Sequence, residues 1–438
     1  MLKRTELEVT FSSSLCQRGY DEPRLQAPST IFFSVGSKLT ERRIRVHALI
    51  LAICLWSLYA FDLATPSLRD RVGQIKGTDF VHFYVLGTLA NQGRGSLLYD
   101  IGAQAALIRE RVPQAAALQY VPLYGPQVSI FFAPLAKLAY KDALICWWMF
   151  SAALYAVSCY LLWRTCPRLR RRGVTVFLLA LAFPAFFALI AYGQSSAPAL
   201  LAFVLAYLLL RAKHRFASGL AIGLLAFKPA LAIGAAIVFL LAGEWLVITG
   251  AVLSAATQIC IGWQYFGTAV MKDYLAALRA IPEKFGYLEP KVYMVHCLRA
   301  FWALLIPQPA IAGALYAASA IAVLAVAIVL WRSAASLELR YSGLLVTTVL
   351  VSPHLTVYDL VILAPVFLLL SEWHLDMQRV NADSFALLLY LCYALPLLGV
   401  VTRWTHLQIS VLAFAGLLGW IFARARSGNQ VVEAECRP

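Results

Sequence analysis

The 438-residue chain is 61% hydrophobic and 13% charged, with a mean hydropathy of +0.74. Soluble domains run nearer about 45–50% apolar and about 25% charged, so the composition excludes a soluble fold and specifies an all-α polytopic protein of the lipid bilayer. The net charge of +15 would suggest nucleic acid in a soluble protein, but here Lys and Arg sit between apolar runs, where they orient the chain with its basic loops inside. No nucleic-acid partner is expected, and part of the charge is available to an anionic substrate such as a lipid phosphate.

Residues 1–43 are polar and mixed in charge and read as a cytoplasmic tail without a cleavable signal peptide. Arg42, Arg43 and Arg45 abut the first apolar run, Ile44–Phe61, which reads as a retained anchor. A polar, Gly- and Pro-containing external segment follows, about residues 62–142. Its short apolar stretch, Val128–Ala139, is too brief to cross a bilayer, which takes roughly 20 helical residues; it reads as interfacial or re-entrant. That choice places the densest basic cluster, Arg164 to Arg172, on the inside after the span Ala143–Trp163. Further spans are predicted near 174–191, 195–210, 216–227, 230–242 and 246–261. A second external segment covers about 262–309, and the last spans lie near 310–330, 341–351, 358–370, 385–401 and 407–422. The expectation is a bundle of about twelve helices over residues 44–425, with a cytoplasmic tail at 426–438. Several spans are short, which implies tilt or partial crossing. Nine cysteines form no CxxC pair and no zinc spacing, so neither a structural disulfide nor a metal is expected.

Four polar groups interrupt the apolar pattern on one predicted face, the external one. Gly77-Thr78-Asp79-Phe80, continuing to His82 and Tyr84, sets an acid among aromatics. A carboxylate at a partly desolvated interface gains a raised pKa suited to a general base; the alternative is a helix N-cap at Thr78 or Asp79. Ala191-Tyr192-Gly193-Gln194-Ser195-Ser196 reads as a tight hairpin, either a plain turn capped by Ser195 or a site where Gln194 bonds a substrate. Phe227-Lys228-Pro229 sets an ammonium in apolar surroundings at a cost of about 2.5–3.5 kcal/mol. Pro229 breaks the helix there, which makes a vertex whose lysine either meets a phosphate or snorkels to the interface. Ser352-Pro353-His354 through Tyr358-Asp359 is a Pro-broken loop. His354 could move a proton or bond phosphate, and the alternative is a capped loop with Asp359 at a helix start. Four costly polar groups at one depth carry more weight than any one alone.

These blocks resemble the polyprenol-phosphate-dependent glycosyltransferases of the GT-C superfamily. Within it they are most similar to family 87, the domain-of-unknown-function 2029 type, which includes alpha-mannosyltransferases. The match rests on Gly77-Thr78-Asp79-Phe80 with Tyr84, then Leu98-Tyr99-Asp100, on Tyr120-Val121-Pro122 through Gln127, and on Tyr192-Gly193-Gln194, Phe227-Lys228-Pro229 and Ser352-Pro353-His354 through Asp359. Val121 replaces the first proline of the family's Tyr-Pro-Pro block, and the last loop departs from its commonest form. The resemblance implies that Asp79 is the catalytic base and that Lys228 and His354 face the lipid phosphate. It also implies that Gln194, Tyr84, His82, Tyr120, Gln127, Tyr358 and Asp359 line the substrate site. The donor would be a polyprenyl-phosphate sugar, mannose the first guess, and the acceptor a glycolipid or glycan. Transfer would invert the anomeric carbon on the external face of a bacterial plasma membrane, with no cofactor beyond the lipid-linked sugar.

The residues suit that chemistry. One base and a stabilised leaving phosphate suffice, where a hydrolase would need two carboxylates. A transporter or flippase of lipid-linked sugars is the competing reading. It does not account for the long first external segment with an acid near its start, and no internal repeat pairs the two halves. A structural membrane protein would scatter its polar groups.

Overall fold

A computed structural model describes residues 39–284, 291–377 and 382–435. Most of the predicted N-terminal tail (1–38) and residues 436–438, with Cys16 and Cys436, lie outside the described residues. The described residues hold no strand, only two isolated bridges, Arg69 with Ile75 and Val295 with Thr356.

The first helix, α1, runs Glu41–Leu63 and opens on Thr40, whose hydroxyl accepts the Arg43 N–H at 3.4 Å. The following segment folds into α2 (Phe80–Asn91), α3 (Ile101–Arg111) and α4 (Pro126–Phe132). Then come α5 (Tyr140–Trp163), α6 (Pro167–Arg170), α7 (Gly173–Leu181), α8 (Pro184–Tyr192), α9 (Ser196–Arg211) and α10 (Arg215–Gly223). They are followed by α11 (Ile233–Ala242), α12 (Trp245–Arg279), α13 (Leu298–Leu305), α14 (Pro309–Arg332) and α15 (Leu337–Val351). The chain ends with α16 (Ala364–Met377), α17 (Ala382–Ala394) and α18 (Ile409–Glu435).

Among the described residues, seven helical stretches are long and apolar enough to cross a membrane, and the pair α7–α8, bent by 43° at the break before Pro184, makes an eighth if it counts as one span. The reading of about twelve spans counted apolar runs. Each of those runs is helical, but α9, α10 with its 3-10 extension, α11 and α15 hold only 10 to 16 residues, short of the roughly 20 a crossing takes. Val128–Ala139 is a seven-residue helix, α4, followed by a 3-10 turn at Leu135–Lys137, also too short to cross.

Two large apolar cores, with a small third cluster around Ala48, Ala52 and Ala182, hold the described residues together. The larger, formed within the bundle, includes Phe203, Tyr207, Phe239, Tyr341 and Phe414. The smaller gathers the first predicted external segment around Phe80, Phe83, Phe132 and Trp147. There Phe80 stacks on Trp147 (6.1 Å, 17°) and Phe83 on Phe132 (4.6 Å, 18°). Such pairs add roughly 0.5–1.5 kcal/mol each beyond burial. Helices α10 and α12 meet backbone to backbone, because Gly219 and Gly223 on one and Gly250 on the other leave no space for a Cβ; small residues four apart permit this approach in lipid. The long α12 breaks at Gly267 (φ 84°, ψ 175°). Just before the break Trp263 and Tyr265 are exposed, as expected where a helix leaves the hydrocarbon.

The bundle sorts its charges to two ends. Glu41 at the start of α1 pairs with Arg172 at 3.4 Å, and Arg168 pairs with Glu372 and Asp376 of α16. The start of α1 and the arginine cluster therefore share one end, as the orientation argument predicted. Asp79, Gln194, Lys228 and Asp359 gather at the other.

Candidate active site

Asp79 lies at the seam between the two cores, immediately before α2. Its backbone is fixed from three sides. Its N–H donates to Tyr192 O at 2.9 Å, Tyr140 OH donates to Gly77 O at 3.1 Å, and Tyr120 OH donates to Thr78 O. Asp79 does occupy the N-cap position, yet its carboxylate caps nothing. The carboxylate turns instead to Gln194, whose Nε2 donates to Oδ2 at 3.0 Å, and to the Tyr358 hydroxyl. Burial pushes its pKa up to about 6, against the opposing pull of the Tyr358 hydrogen bond, Lys228 and Gln194. A carboxyl near 6 is a competent base at neutral pH.

Gln194 is oriented by its own neighbours. Gly193 ends α8 in the left-handed conformation (φ 68°). A Cβ there would sit 2.9 Å from that of Phe80, so the hairpin needs glycine to lie against the Asp79 turn. The Gln194 Oε1 accepts the Ser195 N–H (2.7 Å), the Ser195 hydroxyl (3.1 Å) and Tyr124 OH (3.4 Å). With its oxygen saturated, the amide has only N–H to offer Asp79.

Lys228 is buried at the turn between the 3-10 stretches Leu224–Phe227 and Pro229–Leu231. The sequence suggested an ammonium open to a phosphate, but the structure gives it a counter-ion. Nζ donates to Asp359 Oδ1 at 2.5 Å and to Ser196 Oγ at 3.0 Å, and it lies 5.1 Å from the centre of the Tyr358 ring. Ser196 Oγ also donates to Asp359 Oδ1, at 2.6 Å. The second Asp359 oxygen accepts the N–H and hydroxyl of Thr356, each at 3.2 Å, in a capping box. Asp359 is thus both the predicted cap and the partner of Lys228. A fully buried carboxylate is tolerable only when its acceptor positions are used in this way.

Other predicted residues divide. His82 sits one helical turn beyond Asp79, buried, with its ring edge-on to Tyr120 at 4.9 Å. Burial lowers its pKa to about 3, so it is neutral, and its Nε2 has no hydrogen-bond partner. Gln127 presents an Oε1 equally without a partner. His354 is half-buried in the loop that carries Tyr358. Tyr84 is not brought to the site: its hydroxyl donates to Leu138 O at 2.9 Å, and its ring packs edge-on to Tyr140.

The structure adds Tyr124, Ser196, His296 and Arg299. The first two stand inside blocks that the sequence had already singled out, but neither is unusual as a residue type in its place. His296 donates its N–H to Leu355 O at 2.8 Å, and Arg299 Nε donates to Pro353 O at 2.5 Å. They tie the second predicted external segment to the His354 loop. No local pattern marks them.

An apolar groove of about 480 Å³ runs beside this network, between α4, α5, α9 and α12. Phe131, Phe150, Leu205, Phe227 and Ile261 line it, together with Gln127, Ser195 and Gln258. Ser195 follows Gln194, and Phe227 precedes Lys228.

Membrane-crossing helices that enclose a buried acid, an amide and an ion pair define a multi-pass membrane protein with a polar site. The chain matches glycosyltransferase family 87 over residues 123–353, more than half its length, and belongs to that family; it is a membrane glycosyltransferase. The matched region holds Tyr124, Gln127, Gln194 and Lys228, whereas Asp79 precedes it and Tyr358 and Asp359 follow. No match was found among curated proteins or solved structures.

Proposed function

We propose that the chain transfers a hexosyl or pentosyl unit, mannose the first choice, from a polyprenyl-phosphate sugar to a glycolipid or polysaccharide acceptor, as in GT-C enzymes, with Asp79 as the base. The observation that carries this reading is the Asp79 carboxylate, poised near pH 6 by burial and held by Gln194 and Tyr358 beside a carbon-lined groove. The groove suits a long isoprenoid tail and brings its phosphate end toward Ser195 and Lys228.

Asp79 takes the proton of the acceptor hydroxyl as that oxygen attacks the anomeric carbon. The bond from that carbon to the phosphate oxygen breaks on the opposite face, so configuration inverts and polyprenyl phosphate leaves. An ammonium carries three N–H groups. Asp359 and Ser196 take two from Lys228, and the third is left for a phosphate oxygen. His354 supplies a second donor to the phosphate and is the alternative base. The orphaned His82 Nε2 and Gln127 Oε1 suit sugar hydroxyls, because a buried polar atom without a partner costs about 1–3 kcal/mol until one arrives. The same orientation argument that sends Arg168–Arg172 to the cytoplasm puts this chemistry on the external face of a bacterial plasma membrane.

The test is turnover in membranes offered a panel of radiolabelled polyprenyl-phosphate sugars, with the product anomer assigned by NMR. Inverted product from one donor supports the reading, and retention of configuration would sink a single-base mechanism. Cysteine labelling in intact cells checks the side: label at position 284 and none at 170 is expected.

A further inference from the structure

A second cavity, of about 100 Å³, lies toward the arginine-rich end, far along α5 from the acid. Its walls include Tyr155, Cys159, Leu179, Phe183 and Phe367. The two tyrosines nearest it turn their hydroxyls away. Tyr155 OH donates to Ala180 O at 2.9 Å and Tyr393 OH donates to Leu179 O at 2.8 Å. Those carbonyls belong to the last turn of α7, and the Ala180 carbonyl also accepts the Phe183 N–H at 3.4 Å. The slot is lined mostly by carbon, with Cys159 and Ser371 also in its wall.

At the arginine-rich end the wall continues through Leu169 and Val176, and the chain between them carries Arg170, Arg171 and Arg172. Their neighbours' charges are spent: Arg168 on Glu372 and Asp376, Arg172 on Glu41. Arg170 and Arg171 are exposed and pair with no acid among the described residues. A largely apolar slot with two uncompensated guanidinium groups carried in the chain between two of its wall residues, Leu169 and Val176, is complementary to one chemical class, an amphiphile with an anionic phosphate head.

We propose that this slot is a binding site for an anionic phospholipid of the leaflet facing the arginine-rich end, with a segment of one acyl chain entering between α5, α7 and α16 and the phosphate on Arg170 and Arg171. This site is separate from the groove beside Asp79 and does not depend on the sugar-transfer reading. The bound chain would lie against the bend between α7 and α8, the broken span whose far end carries Gly193 and Gln194.

The probe is phosphatidylglycerol against phosphatidylcholine, each added to the delipidated full-length protein in detergent and counted by native mass spectrometry. Phosphatidylglycerol should be retained selectively. Arg170→Gln with Arg171→Gln should weaken its retention about thirtyfold, since each basic residue near an anionic lipid contributes a factor of about five, and should leave phosphatidylcholine unchanged. Equal retention of the two lipids by the wild type, or no effect of the arginine pair, would overturn the proposal in favour of ordinary surface lipid. A photoactivatable phosphatidylglycerol with its reactive group in the acyl chain tests the slot in the unaltered protein. Cross-links should concentrate on residues 155–183 and 364–371; cross-links spread over the lipid-facing helices would overturn the assignment.

Discussion

At the arginine-rich end, Glu41 meets Arg45 and Arg172 in pairs whose side chains are a third to a half exposed; at the acid end, Lys228 and Asp359 meet with almost no exposure. Each is a basic side chain on a carboxylate, and the energetics are opposite. Exposed pairs are screened and contribute at most about 1 kcal/mol each. The buried pair is stable only because Ser196 and Thr356 use up the remaining acceptor positions, and losing one member strands the other charge. Orientation in the bilayer needs only the first kind. A site that handles a charged substrate in apolar surroundings needs the second.

The largest expected effect breaks the acid end at its base. Asp79→Asn keeps the size and the N-cap position, and the native carboxylate makes no cap bond to lose. Turnover of a labelled lipid-linked sugar, normalised to protein level, should fall on the order of a hundredfold to ten-thousandfold while donor binding survives. Near wild-type turnover would move the base to His354.

The ion pair comes next. Lys228→Met alone leaves Asp359 charged and buried, and should destabilise the protein by roughly 3–5 kcal/mol, read as lost thermal stability in detergent. The double variant Lys228→Met with Asp359→Asn should recover most of that loss. If it also recovers the donor KM, the lysine is structural; a KM that stays high in the stable double variant keeps Lys228 on the phosphate.

A gentler probe titrates the base in place. With its pKa raised to about 6, Asp79 is protonated below that pH and a carboxylate above it. Activity should therefore rise with pH, half-maximal near 6, and fall about tenfold for each pH unit below. A flat profile from pH 5 to 7 would mean that Asp79 does not limit the rate. The smallest effect belongs to the other end. Arg168→Ala removes contacts to Glu372 and Asp376 at a half-exposed side chain and should cost no more than about 1 kcal/mol, with turnover unchanged.

Much of the site was legible because a polar residue inside an apolar run announces itself by its cost. Asp79, Gln194, Lys228 and Asp359 were all found that way, and the structure brings all four together. Their partnerships were not legible. Asp79 and Gln194 are 115 residues apart, and Lys228 and Asp359 are 131 apart. No periodicity links such positions, so Lys228 looked like a cation open to phosphate, and Asp359 like a cap or a substrate contact rather than the partner of that lysine. Where Tyr84 points was not legible either: it stands on the helix that follows the acid, and its side chain faces the smaller core and Leu138. The span count depends on length as well as hydropathy, and short helices such as α10 and α11 pack against neighbours by close glycine contacts that an apolar run does not display.

The separation of Lys228 from Asp359 also sets an order of assembly. Synthesis proceeds from the N-terminus at about 5–20 residues per second, so the ammonium leaves the ribosome roughly 7–26 seconds before its carboxylate. Over that interval the vertex between α10 and α11 carries an unneutralised charge whose insertion costs about 2.5–3.5 kcal/mol. That cost is offset only once the Thr356–Asp359 turn has been made and its carboxylate meets the ammonium, so a chain truncated before residue 359 would lack the partner of its buried lysine and should be less stable than the full bundle.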